Sequence, residues 1–208
     1  MSSAHAIGKR VKKLCNLVLL FLGGLMAIAD TMTKFFDQHY AGKDSAIFRD
    51  LMLNFRKVME ESPLTEEDRF LNLLAIATTL ENAPMQDLAI EQLKERGLAE
   101  DSIKEARESS ALMGMLNTYY KFKGFLSPES LPDYPRAGLR MNSMTKPVNG
   151  KEKFEMMSLS VSIVNACPAC VSSHEKTLRQ LGVEADKLHD LARLAAVCKG
   201  LSALYSAV

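Results

Sequence analysis

Strand signals are almost missing from this sequence. Sustained alternation of apolar and polar residues does not occur and valines are few, whereas long segments repeat with helical period, so the expected class is all-α. An excess of charge is missing too. Lysine and arginine total 26 against 25 aspartates and glutamates, and they are scattered. With no basic face to hold a phosphate backbone, nucleic acid is excluded as a partner. Cysteine is scarce: Cys15, Cys167, Cys170 and Cys198. Only two are close in sequence, which is not the pattern of a secreted disulfide scaffold. They form a single CxxC, which suggests a redox pair or half of a metal site.

With 208 residues, nearly half of them hydrophobic, the chain can bury a good core in one or two domains. Its N-terminus carries Lys9, Arg10, Lys12 and Lys13 ahead of an apolar run from Leu14 to Ala29 that is short for a spanning helix. Ala27-Ile28-Ala29 before Asp30 looks like a signal-peptidase site. Three readings follow: a cleaved signal, an amphipathic or buried leading helix, or an extension upstream of a true start at Met32.

Helix signals then follow in order. Asp44 is the expected cap of a helix with its apolar stripe at Phe48, Leu51, Met52, Phe55, Val58 and Met59, ending before Ser62-Pro63. Thr65-Glu66-Glu67-Asp68 is close to a capping box and opens a second helix. A third follows Pro84 and stops at Gly97, and a fourth starts at Asp101 or Ser102. From Gly124 to Gly150 four prolines break the pattern, giving a linker expected to pack through Leu126, Tyr134, Leu139 and Met141. Helices resume at about Lys151, at Cys167-Pro168 and at about Glu184.

The second half echoes the first. Phe70 matches Phe154, Asn82-Ala83 matches Asn165-Ala166, and the segment from Glu91 to Leu98 matches that from Lys176 to Val183. This reads as a duplicated three-helix unit in which only the second copy carries chemistry. The expected organisation is an N-terminal extension (1–31), a helical half without the site (32–123), the linker (124–150) and a helical half with the site (151–208).

That site is Glu155, Cys167, Cys170 and His174. Pro168 fits the first helical position, which places Cys167 at the N-cap and Cys170 in the first turn. There the unpaired N–H groups and the helix dipole lower a thiol pKa from its free value of about 8.5. His174 lies on the same stripe, one turn below Cys170. Glu155, on the preceding helix, orients His174 if the two helices pack antiparallel, although by itself it reads as a solvated helix charge. Ser158, Ser162 and Ser172 are expected to line a small wet channel. Cys15 and Cys198 read as small hydrophobes, His39 and His189 as surface residues, and the methionines as core filler. Zinc is the competing chemistry for Cys167, Cys170 and His174, but no fourth ligand is close in sequence.

These residues resemble the alkylhydroperoxidase D family, within the carboxymuconolactone decarboxylase-like superfamily. The likeness takes in Phe154-Glu155, CxxCxxxH, Glu175-Lys176-Thr177-Leu178-Arg179 and Gly182-Val183. Upstream it takes in Leu112-Met113-Gly114-Met115, Asn117, Tyr120, Gly124-Phe125-Leu126 and Gly138-Leu139-Arg140-Met141-Asn142. It runs from about Thr33 onward, which favours a start at Met32 or an appended segment over a secreted enzyme.

The resemblance implies an all-α homotrimer of two related halves that reduces alkyl hydroperoxides as an antioxidant thiol peroxidase. Cys170 would be the nucleophile oxidised to a sulfenic acid. Cys167 would donate a proton and then close the Cys167–Cys170 disulfide, with His174 and Glu155 as the proton relay. By thioredoxin logic, in contrast, the capping Cys167 is the more exposed and reactive thiol. No tightly bound cofactor or metal is implied. Dihydrolipoamide on a lipoylated acyltransferase would supply electrons, and the dithiol would also regenerate a peroxiredoxin of the alkyl hydroperoxide reductase C type. The expected location is cytoplasmic, or periplasmic if residues 1–29 are a cleaved signal. Ala169 departs from members with a histidine between the cysteines, which bears on peroxidase rate more than on dithiol exchange. The alternatives are a dithiol adaptor between a lipoyl domain and a peroxiredoxin, and a helical zinc module.

Overall fold

The computed structural model describes residues 28–205, and all the regular elements among them are helical. The basic and apolar leading segment through Ala27, with Cys15, lies outside the described residues. The chain divides into two compact units between Lys43 and Asp44. In the first, residues 28–39 form helix α1, where Phe35, Phe36 and Tyr40 form a ring cluster with centroids 5.3 to 5.8 Å apart.

The second unit contains α2 (Ala46–Glu61), α3 (Glu66–Thr79), α4 (Ala83–Glu95) and α5 (Glu100–Phe125). Two 3-10 turns follow at Leu131–Asp133 and Asn142–Thr145, then α6 (Gly150–Val164), α7 (Pro168–Gln180) and α8 (Ala185–Tyr205). No helix among the described residues is long and apolar enough to cross a membrane.

Local chemistry explains most boundaries. Ser45, not Asp44, caps α2, its hydroxyl accepting from the Phe48 N–H at 3.0 Å, while Asp44 pairs with Arg49. Thr65 caps α3 by accepting from the Asp68 N–H at 3.1 Å. The reciprocal arm of a capping box is missing. Asp68 is one methylene shorter than glutamate and takes the Thr65 hydroxyl proton at 2.6 Å instead of reaching the backbone. Helix α5 begins at Glu100, ahead of the expected start, with no side-chain cap; Glu100 and Asp101 lie in its first turn, where the dipole favours carboxylates. Asn149-Gly150, a hairpin signal in other contexts, opens α6 instead.

Four helices end in the same hydrogen-bonded turn. After α4 and α7 the left-handed residue is Gly97 or Gly182, with φ of 76° and 88°. After α3 and α6 it is Glu81 or Ala166, with φ of 54° and 51°. In each case the next residue but one beyond the helix cap closes a 6→1 bond: Asn82 N–H to Ala77 at 2.9 Å, Leu98 to Leu93 at 3.1 Å, Cys167 to Ser162 at 3.1 Å, and Val183 to Leu178 at 3.0 Å. The left-handed conformation costs an alanine or glutamate on the order of 1 kcal/mol relative to glycine, so surrounding packing must hold Glu81 and Ala166 there. Asn82 and Cys167 are alike in local position, each being the N-cap that follows a left-handed residue.

The core sits around α3 and α6, which pack on each other and are flanked by α4, α5, α7 and α8. Every residue from Asp68 to Ala77 is buried, and so is every residue from Met156 to Ser162. Helices buried on all faces lack a polar stripe. One polar pair crosses the interface between them, the Ser160 hydroxyl donating to Asn72 at 2.9 Å. Leu64, Met156, Leu159, Leu178, Val183, Leu188 and Leu191 form a contiguous apolar cluster beneath α7. Truncating Leu73, which is fully buried, to alanine is expected to cost about 2–5 kcal/mol in urea unfolding. Truncating Leu53, 59% exposed on α2, is expected to change stability by no more than about 0.5 kcal/mol.

Candidate active site

Only three residues, Asn165, Ala166 and Cys167, separate α6 from α7, so the chain reverses sharply and the two helices pack together. Cys167 ends the first turn and caps the second helix. Pro168 occupies the first helical position, where its missing N–H costs nothing. The Cys167 side chain makes no capping hydrogen bond. A disulfide links Cys167 to Cys170, with Cα atoms 5.4 Å apart, inside the range that such bonds span.

The reversal also brings Glu155 to His174. Glu155 Oε2 lies 2.7 Å from His174 Nδ1, and both side chains are largely buried, at 13% and 11% exposure. With Nδ1 engaged, Nε2 is the nitrogen left to exchange a proton with a partner.

A cavity of about 290 Å³ opens beside this pair. Ala169, Cys170, Ser173 and His174 of α7 form one wall. Opposite stand Met113, Leu116, Asn117 and Tyr120 of α5, and the linker closes a third side with Met141 and Met144. Cys167 is fully buried, whereas Cys170 is 7% exposed and faces the cavity. The thioredoxin expectation that the capping thiol is the accessible one does not hold. Cys167, whose N–H closes the 6→1 bond of the preceding turn, is enclosed, and Cys170, one turn on, faces α5 across the cavity.

Other expectations change as well. Ser158 and Ser162 are fully buried, Ser172 is exposed, and none of the three lines the cavity; Ser173 does. Ser162 accepts from Asn117, and the Ser158 hydroxyl has no hydrogen-bond partner. Met141 and Met144 serve as cavity wall rather than core filler, and the buried Met113 does both. None of Leu126, Tyr134, Leu139 and Met141 is fully buried. Two of them still anchor the linker: the Tyr134 ring meets Phe122 of α5 edge-on at 5.3 Å between centroids, and Met141 joins the cavity wall, while polar contacts hold the linker's end. The Glu105 carboxylate accepts from the Val148 N–H at 2.6 Å, the Asn149 N–H at 2.7 Å and the Asn149 side chain at 2.9 Å. Nothing in the sequence marks Glu105, which resembles any helix-surface glutamate, as a buried clamp.

Among the described residues no group of three or more His, Cys, Asp and Glu side chains is arranged to hold a metal ion. Cys198 is fully buried on α8, and burial pushes its thiol well above the ordinary range. In the native protein at pH 8, Cys198 is therefore expected to resist iodoacetamide and to become reactive only on unfolding, as read by peptide mapping.

Comparison with known proteins identifies the family. A profile of the carboxymuconolactone decarboxylase family matches residues 136–208, which take in the CxxC helix. An alkyl hydroperoxide reductase AhpD from Anaeromyxobacter dehalogenans is 38% identical over 150 residues, 72% of this chain and 79% of that protein. One from Mycolicibacterium smegmatis is 36% identical over 157 residues, 74% of this chain and 85% of its own. One from Rhizorhabdus wittichii is 35% identical over 158 residues, covering 76% and 90%. With likeness at this level spanning most of both chains, and a CxxC disulfide beside a carboxylate–imidazole pair in an all-helical fold, this chain belongs to the AhpD family of alkyl hydroperoxide reductases.

Proposed function

We propose that the protein is a thiol peroxidase that reduces organic hydroperoxides by cycling Cys167 and Cys170 between dithiol and disulfide. The observation that carries this reading is the placement of Cys170 and the Glu155-held His174 on one wall of a mostly apolar cavity. In the reduced state the Cys170 thiolate attacks the terminal oxygen of the hydroperoxide and the O–O bond breaks. The products are Cys170 sulfenic acid and an alkoxide, which takes the Cys167 proton and leaves as the alcohol. The Cys167 thiolate then attacks the sulfenic sulfur, forming the disulfide and releasing water. His174 and Glu155 move and stabilise protons between these groups. The sum is one hydroperoxide and two thiols converted to alcohol, water and disulfide.

Reduction of the disulfide by dihydrolipoamide on a lipoylated acyltransferase completes the cycle. Cys170 is the sulfur that faces the cavity, so the incoming thiolate attacks there and Cys167 leaves as a thiolate stabilised at the start of α7. The dithiol also serves to regenerate a partner peroxiredoxin. We further propose that the first helical half is a duplicated scaffold that lost, or never carried, the thiols, that the protein assembles as a trimer, and that it works in the cytoplasm.

Ala169 favours a second reading. It presents a methyl group to the cavity wall where an imidazole would carry protons, and the protein is then a dithiol adaptor between a lipoyl domain and a peroxiredoxin. Steady-state reduction of cumene hydroperoxide with dihydrolipoamide and no peroxiredoxin separates the two: turnover supports the peroxidase, thiol exchange without peroxide loss the adaptor. In that assay Cys170→Ser is expected to abolish turnover. Glu155→Gln and His174→Phe are each expected to lower it by about tenfold or more while leaving the melting temperature within a few degrees of wild type. Wild-type turnover by Cys170→Ser would overturn the assignment.

A further inference from the structure

Asn117 stands on α5, across the cavity from Cys170 and His174, and is 1% exposed. Its amide is held at both ends. Nδ2 donates to the Ser162 hydroxyl at 2.9 Å, and Oδ1 accepts from Asn165 Nδ2 at 3.0 Å. Ser162 and Asn165 belong to the turn that places the cysteines: the Ser162 carbonyl accepts the Cys167 N–H, and Asn165 is the α6 cap. A primary amide has two N–H groups and two acceptor lone pairs. These two bonds use one of each, so one N–H and one lone pair remain on a rigidly held side chain that forms part of the cavity wall.

The other polar groups that line the cavity are less suited to hold a substrate oxygen. His174 is committed through Nδ1 to Glu155 and is needed for proton transfer, Ser173 is exposed, and Tyr120 is only half-buried. When Cys170 attacks a hydroperoxide, negative charge develops on the oxygen that leaves with the alkyl group. A fixed N–H donor in a mostly apolar cavity stabilises that charge without having to reorganise.

We propose that Asn117 is a catalytic residue, its free N–H donating to the departing alkoxide oxygen of the hydroperoxide as the O–O bond breaks. This rests on the peroxidase reading above. The residue takes no proton or electron; the alkoxide still receives its proton from Cys167. Removing one preorganised donor of this kind costs about 10²–10³ in rate at the most developed sites. The role is confined to the peroxide half of the cycle, because thiol–disulfide exchange develops no charge on a substrate oxygen.

The test measures the two half-reactions of the full-length protein separately. One is stopped-flow oxidation of the reduced protein by cumene hydroperoxide, and the other is reduction of the disulfide form by dihydrolipoamide. Asn117→Asp retains an acceptor for Asn165 and for a reoriented Ser162 hydroxyl while losing the N–H groups. Asn117→Ser removes them without adding charge. Each folded variant is expected to lose at least tenfold in the peroxide reaction and to stay within about threefold of wild type in the dihydrolipoamide reaction. A smaller peroxide loss, or equal loss in both reactions, overturns the proposal, the latter in favour of a purely structural tie to the turn. Failure of the peroxidase reading itself is seen separately, as no peroxide-driven thiol loss in wild type. A second measurement needs no variant to fold. The Asn117 side-chain amide resonances of the wild-type disulfide form are expected to shift on titration with 2-phenylpropan-2-ol, the alcohol product, and no shift counts against the contact.

Discussion

The reversal between α6 and α7 is the constraint on which the site depends. A helix that must end and restart within three residues has few backbone solutions, and here the chain uses a left-handed Ala166 followed by an extended Cys167. Cys167 thereby does two jobs, closing the 6→1 bond to Ser162 and capping α7. Its side chain is turned into the protein as a result, Cys170 is carried round to the cavity, and α7 runs back along α6 far enough for His174 to meet Glu155 at 2.7 Å. Shifting the turn by one residue would rotate the α7 stripe by about 100° and separate all of these groups.

Buried polar pairs hold that geometry from outside the turn. Asn72 with Ser160 joins α3 to α6, Asn82 with Ser202 joins the start of α4 to α8, and Asn117 with Ser162 and Asn165 joins α5 to the turn itself. Each pair satisfies groups that would be costly to bury alone, and each is directional, so together they select one register of helix packing where apolar contacts would tolerate several. Helix α5 thus contributes to the site although it has no cysteine: it supplies the wall opposite Cys170. Through Glu105 it also anchors the end of the linker whose methionines close the cavity.

Much of the helical plan is legible in the residues. Glycines at 97 and 182 mark two of the four turns, Thr65 marks a cap, and Pro168 marks the start of the cysteine helix because proline at a first helical position loses nothing. The equivalent turns at Glu81 and Ala166 carry no such mark. Neither residue favours a left-handed conformation, and it is adopted because the helices on either side are packed. Helices α3 and α6 are buried on every face, so they show no amphipathic stripe from which their central position is evident. Glu105 is likewise silent, and Asn117, although part of the family likeness, gives no sign of its place, since a carboxylate or an amide on a helix looks the same whether it meets water or another segment of the chain.

What the sequence by itself determined is the chemistry available and its local order: two thiols and an imidazole on one helical stripe, a carboxylate on the helix before, and an all-α chain to carry them. Helical period, capping and the fixed φ of proline are short-range effects and act before any tertiary contact forms. Which thiol faces the cavity, whether the carboxylate reaches the imidazole, and which methionines and which asparagine complete the walls were decided only by the tertiary structure. Those outcomes depend on the angle and register at which α5, α6 and α7 pack, and these are set by contacts between residues far apart in the chain, such as Asn117 and Ser162, 45 positions apart.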